Sequence, residues 1–304
     1  MNLISVILCA YNEPIFMIKK SVESILKQTY RNIELILIND NPNYDELNQL
    51  FVGYQEADER VRYFRHHVNK GLVCSLNEGI GVASGDFIAR MDADDVSFPE
   101  RLEKQMKYLQ VMSYDMVGCN VRKIDEDDNE IGEVKVPSSF EFIKKYQLYG
   151  SCVLHPTWLV KKKIYEELVG YRFIYACEDY DFILRAIQHG FRIGNLPEVE
   201  LLYRIRSNSI SNSANIKQKL TMYFLVDNGG INKEVSIDKI NTYLESDTYK
   251  KAYLKLNKYE SIKQSIRESN SKIRKLPLVF GIVFNKYFYK NIVEHYMLKK
   301  RLKE

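Results

Sequence analysis

Residues 86–95 read Asp-Phe-Ile-Ala-Arg-Met-Asp-Ala-Asp-Asp, an apolar run that leads into three carboxylates within four positions. The run has the composition of a buried strand, so Asp92, Asp94 and Asp95 are expected to stand together at a strand end. Carboxylates so placed repel one another and lose hydration, whereas Mg²⁺ and Mn²⁺ use such oxygens as ligands and leave positions for phosphate and water. The stretch predicts a divalent cation that holds a phosphate, with a solvated acidic turn as the alternative.

The composition of the 304-residue chain is that of a folded protein, with 45% hydrophobic and 28% charged residues. Residues 3–8 are apolar but no basic segment precedes them, so we expect no secretory signal. No apolar run approaches the ~20 residues that a spanning helix needs. The five cysteines are scattered and include no CxxC pair, which favours reduced thiols in a cytosol over disulfides or structural zinc.

The net charge of +4 conceals an uneven distribution along the chain. Residues 214–304 contain 19 Lys and Arg against 9 Asp and Glu, whereas residues 1–213 contain 25 against 31. The two parts are therefore expected to face different partners, and we place a domain boundary near Ser213.

Strand-like and helix-like segments alternate over residues 3–121. Apolar runs predict strands at 3–10, 33–38, 61–64, 87–91 and 116–121, and helical spacing predicts helices at 16–28, 44–55, 71–83 and 99–112. This order predicts an α/β fold with a mostly parallel sheet sandwiched by helices, then a hairpin at 124–136 and a C-terminal helical extension. Ligands of such sheets bind beyond the carboxyl ends of the strands.

Polar residues follow the first two predicted strands at that edge. Tyr11, Asn12 and Glu13 follow the first strand, and Asn39-Asp40-Asn41-Pro42 follows the second. A buried carboxylate such as that of Asp40 can accept the imide N–H of uracil while an aromatic ring stacks on the base. The alternative is a simple turn, which Asn-Asp-Asn-Pro also favours.

Two further segments have both a chemical and a structural interpretation. In Asn69-Lys70-Gly71, backbone N–H groups at a helix start can bind phosphate, or the segment is only a helix entry. In Glu178-Asp179-Tyr180-Asp181, a carboxylate can act as general base toward an incoming hydroxyl, or the acidic residues only complement the helix dipole.

Taken together and in order, these segments resemble the family 2 glycosyltransferases, inverting enzymes of the GT-A fold. The matching segments are 5–13, 28–35, 39–40, 69–71, 83–95, 99–102, 155–156, 178–181 and 203–205. No single motif is specific, but the ordered set is, and it covers roughly residues 3–211. Residues 215–304 lie outside the resemblance.

The resemblance implies a site for the nucleotide of a UDP-sugar, with Asp40 on uracil and with Tyr11 and Glu13 beside the base and ribose. Asp94 would ligate Mn²⁺ or Mg²⁺ at the diphosphate, and Asp179 would be the general base. Inversion in one in-line displacement requires no enzyme nucleophile, and a cation at the leaving diphosphate lowers the barrier. The full set of implied donor-binding residues is Ala10, Tyr11, Glu13, Asp40, Asn69, Gly71, Arg90 and Asp92.

Two positions depart from the family's pattern. Asn39 stands where many relatives have Asp, and Arg206 stands where many have a His near the metal or diphosphate. Arg206 cannot ligate a cation but can pair bidentately with phosphate. The Gln-x-x-Arg-Trp motif of processive synthases is missing from the sequence, so we expect transfer of a single sugar.

The acceptor or diphosphate side is assigned to Glu178, His155, Trp158 and Arg206. Trp158 is the only tryptophan, and it either stacks on a sugar ring or lies in the core. His66, His67 and His189 are assigned no role.

Residues 272–304 combine basic and aromatic residues. Lys and Arg at 272–275 and 299–303 flank an apolar run at 276–284 that is too short to span a membrane. The segment suits an interfacial anchor on anionic lipid, with a helix packed on the catalytic domain as the alternative. Nothing resembles a groove-reading motif, so no nucleic-acid partner is expected.

The sequence thus predicts a GT-A catalytic domain over residues 1–213 and a basic helical extension over 214–304. We expect transfer of one sugar from a UDP-sugar to a hydroxyl of a glycan or lipid-linked oligosaccharide in bacterial surface polysaccharide biosynthesis. The expected place is the cytoplasm, peripherally on the inner face of the cell membrane. The alternatives are a metal-dependent nucleotidyltransferase and a non-catalytic nucleotide-sugar-binding protein; the joint presence of Asp40, Asp94 and Asp179 argues against the second.

Overall fold

The computed structural model describes residues 2–206, 215–268 and 285–301. Among these residues, nine strands form one sheet. The strands are β1 (Ile4–Ala10), β2 (Ile33–Asn39), β3 (Val61–Arg65), β4 (Phe87–Asp92), β5 (Val96–Ser97), β6 (Met116–Ile124), β7 (Glu130–Val134), β8 (Leu159–Lys161) and β9 (Ile193–Arg204).

The sheet is mostly parallel, as the sequence predicts. Its order is β3-β2-β1-β4-β8-β6-β9-β5, and β7 pairs with β6 to give the predicted hairpin. β1 to β4 are parallel, β8 is antiparallel to both β4 and β6, and β9 is parallel to β6. The carboxyl ends of β1, β2, β4, β6 and β9 therefore meet at one edge. β2 lies on one side of β1 and β4 on the other, so the strand order reverses at β1, and ligands of such sheets bind beside this point.

Helices cover both faces of the sheet because successive strand residues point to opposite faces. The described helices are α1 (Ile15–Leu26), α2 (Asp45–Ala57), α3 (Leu72–Val82), α4 (Arg101–Val111), α5 (Phe140–Tyr146), α6 (Lys162–Leu168), α7 (Glu178–Gln188), α8 (Asn215–Asn228), α9 (Ile237–Glu245), α10 (Asp247–Glu268) and α11 (Lys286–Arg301). Val6 and Leu8 share an apolar cluster with residues of α1, α2 and α4, whereas Ile7 shares one with residues of α3, α6 and α7.

The helical extension packs against α7. Leu225 of α8 and Ile240 of α9 share a buried apolar cluster with Tyr180 and Leu184 of α7. The predicted boundary at residue 213 falls outside the described residues. The extension therefore contributes core contacts to α7. The first turn of α7 packs against residues that precede the boundary and residues that follow it. Across the described ranges, no helix is both long and apolar enough to cross a membrane.

Candidate active site

The candidate site lies at the carboxyl ends of β1, β2, β4 and β9. The backbone N–H of Asp40 donates to the carbonyl of Ala10 at 2.9 Å, which joins the ends of β1 and β2. Asn41 donates from its side-chain amide to the carbonyl of Tyr11 at 2.8 Å. The Tyr11 side chain is 43% exposed at this edge. The predicted donor-binding residues of the first two strands are therefore neighbours.

Asp40 is buried and accepts hydrogen bonds from the loop that enters α3. Its Oδ1 accepts the N–H of Lys70 at 2.8 Å, and its Oδ2 accepts the N–H of Gly71 at 2.9 Å. Gly71 has a φ of +82°, in the left-handed region that favours glycine. Both N–H groups donate to Asp40 here, which agrees with the helix-entry alternative, and phosphate binding by this segment stays a prediction. Asn69 is exposed on the same loop.

His66 also belongs to this cluster. It follows β3 directly and is buried, with Nδ1 2.7 Å from Oδ1 of Asp40 and Nε2 2.7 Å from Oε2 of Glu78. Which ring nitrogen donates depends on the tautomer of His66. The sequence interpretation assigned His66 no role; its position after a strand, at the edge where the other strands end, was the available signal.

Arg90 and Asp92 form the centre of the site. Arg90 is 3% exposed and donates from Nη2 to Oδ1 of Asp92 at 2.6 Å. A guanidinium buried in this way orients Asp92 and places a positive charge behind the crevice. Donor binding by Arg90 stays a prediction; in the structure its guanidinium donates to Asp92, another predicted donor-binding residue.

Asp94 is paired with Arg206. Nε of Arg206 lies 2.7 Å from Oδ2 of Asp94, and its Nη2 lies 3.5 Å from Oε1 of Glu13. Glu13 in turn accepts the N–H of Tyr11 at 2.8 Å. Burial, and then the charge of Asp92, raise the pKa of Asp94 to about 6, and Arg206 opposes the shift.

The acidic stretch fits a divalent cation in part. Within the described ranges, no three His, Cys, Asp or Glu side chains form a ready-made metal cluster. Asp95 is buried and accepts the N–H of Arg204 at 2.8 Å, so its role is to hold the end of β9 beside the acidic stretch. Asp92 and Asp94 are partly buried at the crevice and offer the hard oxygens that Mg²⁺ or Mn²⁺ prefers, with donor phosphate and water as the remaining ligands. Such a cation would share the carboxylate of Asp94 with the guanidinium of Arg206.

Glu178 and Asp179 occupy the first turn of α7 and face the same charges. Burial, and then Asp179, raise the pKa of Glu178 to about 7. Burial also raises the pKa of Asp179, and among the surrounding charges Asp92 raises it further whereas Arg90 lowers it. The structure thus brings the predicted base into electrostatic contact with the β4 residues. A carboxylate with a raised pKa is suited to accept a proton near neutral pH.

Comparison with known proteins identifies the family. The model described as Glycosyl transferase family 2 matches residues 5–169. This chain is a family 2 glycosyltransferase. The uncharacterized glycosyltransferase MJ1057 of Methanocaldococcus jannaschii is 35% identical over 235 residues, 76% of this chain and 81% of the relative. The O-antigen biosynthesis glycosyltransferase WbnJ of Escherichia coli is 36% identical over 216 residues, 70% of this chain and 84% of the relative.

The fold agrees with that of a solved glycosyltransferase. The mannosyltransferase PcManGT of Pyrobaculum calidifontis, in complex with GDP-Man and Mn²⁺, superposes with a TM-score of 0.60. The alignment covers 96% of this chain and 86% of that one, at 16% identity. The predicted GT-A architecture is confirmed.

Two predicted acceptor-side residues of this glycosyltransferase lie behind the crevice. Trp158 is fully buried, donates from Nε1 to the carbonyl of Val153 at 3.0 Å and stacks on Phe182. The sugar-stacking alternative is wrong for Trp158, because its ring faces belong to the core. His155 places Nε2 2.8 Å from the Tyr171 hydroxyl, and burial and Arg90 hold its pKa well below the usual value. His155 is therefore a neutral ring in the wall of the site.

Proposed function

We propose that this glycosyltransferase moves one sugar, with inversion, from a UDP-sugar to a hydroxyl of a glycan or lipid-linked oligosaccharide in surface polysaccharide biosynthesis. The observation that carries the proposal is the family 2 glycosyltransferase fold, with Asp40 and Asp92 at the carboxyl ends of β2 and β4 and with Asp179 in the first turn of α7. The O-antigen role in the name of the E. coli relative supports the acceptor class.

The reaction forms a bond from the acceptor oxygen to the anomeric carbon and breaks the bond from that carbon to the donor phosphate. Asp179 takes the acceptor's proton, and burial, which raises its pKa, strengthens its hold on that proton. Asp92, which Arg90 orients, is assigned to the donor. When bound, a divalent cation held by Asp94 and Asp92 would stabilise the charge on the leaving diphosphate.

The donor nucleotide is assigned to the ends of β1 and β2. Oδ2 of Asp40 accepts one hydrogen bond, from Gly71, and a carboxylate oxygen has capacity for a second. That capacity fits the imide N–H of uracil. The exposed ring of Tyr11 offers an aromatic face beside it, and Glu13 offers a carboxylate for a ribose hydroxyl.

A donor panel tests the proposed function. The full chain would be incubated with several UDP-sugars and GDP-mannose, together with a lipid-linked glycan extract, and the released product would be analysed. The proposal predicts release of UDP together with a glycosylated acceptor. Release of pyrophosphate would instead indicate a nucleotidyltransferase, and nucleotide binding without turnover on any pair would indicate a non-catalytic binding protein.

We further propose that α11 contacts anionic lipid. Four large apolar side chains on one face of this helix, Tyr289, Ile292, Val293 and Tyr296, are 59%, 49%, 45% and 66% exposed. The helix packs on α10 through Tyr287 instead. An exposed apolar stripe in a strongly basic extension matches an interfacial helix. Of the predicted anchor at 272–304, residues 272–284 and 302–304 lie outside the described ranges.

Vesicle flotation tests the lipid contact. A double substitution, Tyr289→Ser with Tyr296→Ser, should release the protein from phosphatidylglycerol vesicles, and high salt should do the same for the unchanged protein. Leu254→Ser is a matched control, because Leu254 is 68% exposed on α10 and lies off the stripe. Undiminished binding by the double variant would contradict the assignment.

A further inference from the structure

The ion pair between Arg206 and Asp94 is fixed by the framework of the sheet. β5 pairs with β9, with Val96 opposite Leu202, and this brings the end of β9 alongside the acidic stretch. The N–H of Arg204 donates to Asp95 at 2.8 Å, and Nε of Arg204 donates to the carbonyl of Asp94 at 2.8 Å. The backbone that carries Arg206 is therefore tied to the residues that it faces.

The pair is partly withdrawn from water and lies among negative charges. The side chains of Arg206 and Asp94 are 17% and 18% exposed, and Glu13 lies on the other side of the guanidinium. The negative charges of Asp92 and Glu13 also act on Asp94. In such surroundings one positive charge relieves their mutual repulsion, and screening by solvent is reduced.

We propose that Arg206 is a resident counter-cation that competes with a divalent metal for Asp94. A guanidinium cannot ligate a metal, and its positive charge beside Oδ2 of Asp94 repels a cation on the same carboxylate, so metal binding weakens or displaces the Arg206 ion pair. The displaced guanidinium, with its planar fork of donors, then pairs with a phosphate oxygen of the donor diphosphate. This last step rests on the proposed function; the competition for Asp94 does not. The nucleotide thus favours metal binding, because a donor phosphate replaces Asp94 as the partner of the Arg206 guanidinium.

Titration with Mn²⁺ alone tests the competition. Free Mn²⁺ would be measured by electron paramagnetic resonance with the unchanged protein, Arg206→Gln, Arg206→Lys and Arg122→Gln, without nucleotide. Arg206→Gln should bind Mn²⁺ about tenfold or more tightly than the unchanged protein, the scale expected for release of one partly buried ion pair. Arg206→Lys should restore weak binding, because it keeps the charge.

Arg122→Gln is the matched control, since Arg122 pairs with Glu130 and Glu133 on the hairpin and its loss changes the net charge equally. It should leave Mn²⁺ affinity unchanged. Equal or weaker Mn²⁺ binding by Arg206→Gln would overturn the proposal. If Arg206→Gln does not fold, Arg206→Met serves in its place, because it keeps the aliphatic stem.

Nucleotide binding in the presence of saturating Mn²⁺ tests the second step. Calorimetry with UDP, and separately with GDP, should show binding by the unchanged protein that falls about tenfold in Arg206→Gln. An unchanged affinity would contradict the contact between Arg206 and the donor phosphate, and the result of the Mn²⁺ titration would still stand. If neither nucleotide binds any variant, with or without Mn²⁺, the proposed function fails, and the titration with metal alone still decides the competition.

Discussion

Removing the charge of Glu178 should stabilise this protein at alkaline pH. The pKa of its carboxyl is raised from 4.5 to about 7, by burial and by Asp179. A carboxyl whose pKa is raised on folding binds its proton more tightly in the folded state. The ionised form is therefore penalised, and stability falls as pH rises from 4.5 through about 7. A shift of about 2.5 units corresponds to at most about 3 kcal/mol of unfolding free energy, at 1.36 kcal/mol per unit.

Glu178→Gln keeps the shape and removes the titration. Its unfolding free energy at pH 8.5, measured with urea, should exceed that of the unchanged protein by about 1–3 kcal/mol, and the difference should vanish near pH 4. Glu56→Gln, at an exposed position on α2, should show no such dependence. A Glu178→Gln protein that is less stable at pH 8.5, or whose difference is the same at both pH values, would refute the reasoning.

Two other substitutions test the site and its support. Asp179→Asn should lower turnover by about 10²–10⁴-fold while the affinity for UDP, measured by calorimetry, is retained; a larger loss in Glu178→Gln would place the base there instead. Leu225→Ala, which opens a cavity in the cluster that joins α8 to α7, should cost about 2–5 kcal/mol in urea unfolding and lower turnover through α7. Leu254→Ala at an exposed site is its control, and equal effects of the two would contradict a supporting role for the extension.

The sheet could be predicted from the sequence because its strands are encoded locally. The residues of β1 and β2 are almost all buried apolar ones, and such continuous runs between helical segments are typical of parallel strands covered on both faces. Parallel strands place their carboxyl ends at one edge, so Ala10, Asp40 and Asp92 could be expected to meet. The early prediction that these ends form one site rests on this geometry.

Other features depend on long-range pairing that local periodicity does not encode. β5 has two residues and β8 has three, too few to show an alternating pattern, yet β5 determines where Arg206 lies. The hydrogen bond from the Gly71 N–H to Asp40 depends on the path of the loop that enters α3. The burial of Trp158 depends on how α7 packs. The sequence therefore identified the chemical groups of the site more reliably than their partners.

The anomeric configuration of the first-formed product tests the central claim most directly. Once an active donor and acceptor are known, proton nuclear magnetic resonance at early times would compare the anomeric carbon in donor and product. Transfer in one displacement, with Asp179 as base and no enzyme nucleophile, predicts an inverted configuration. Retention of the donor's configuration would contradict the account, because it would require a covalent intermediate or attack from the same face.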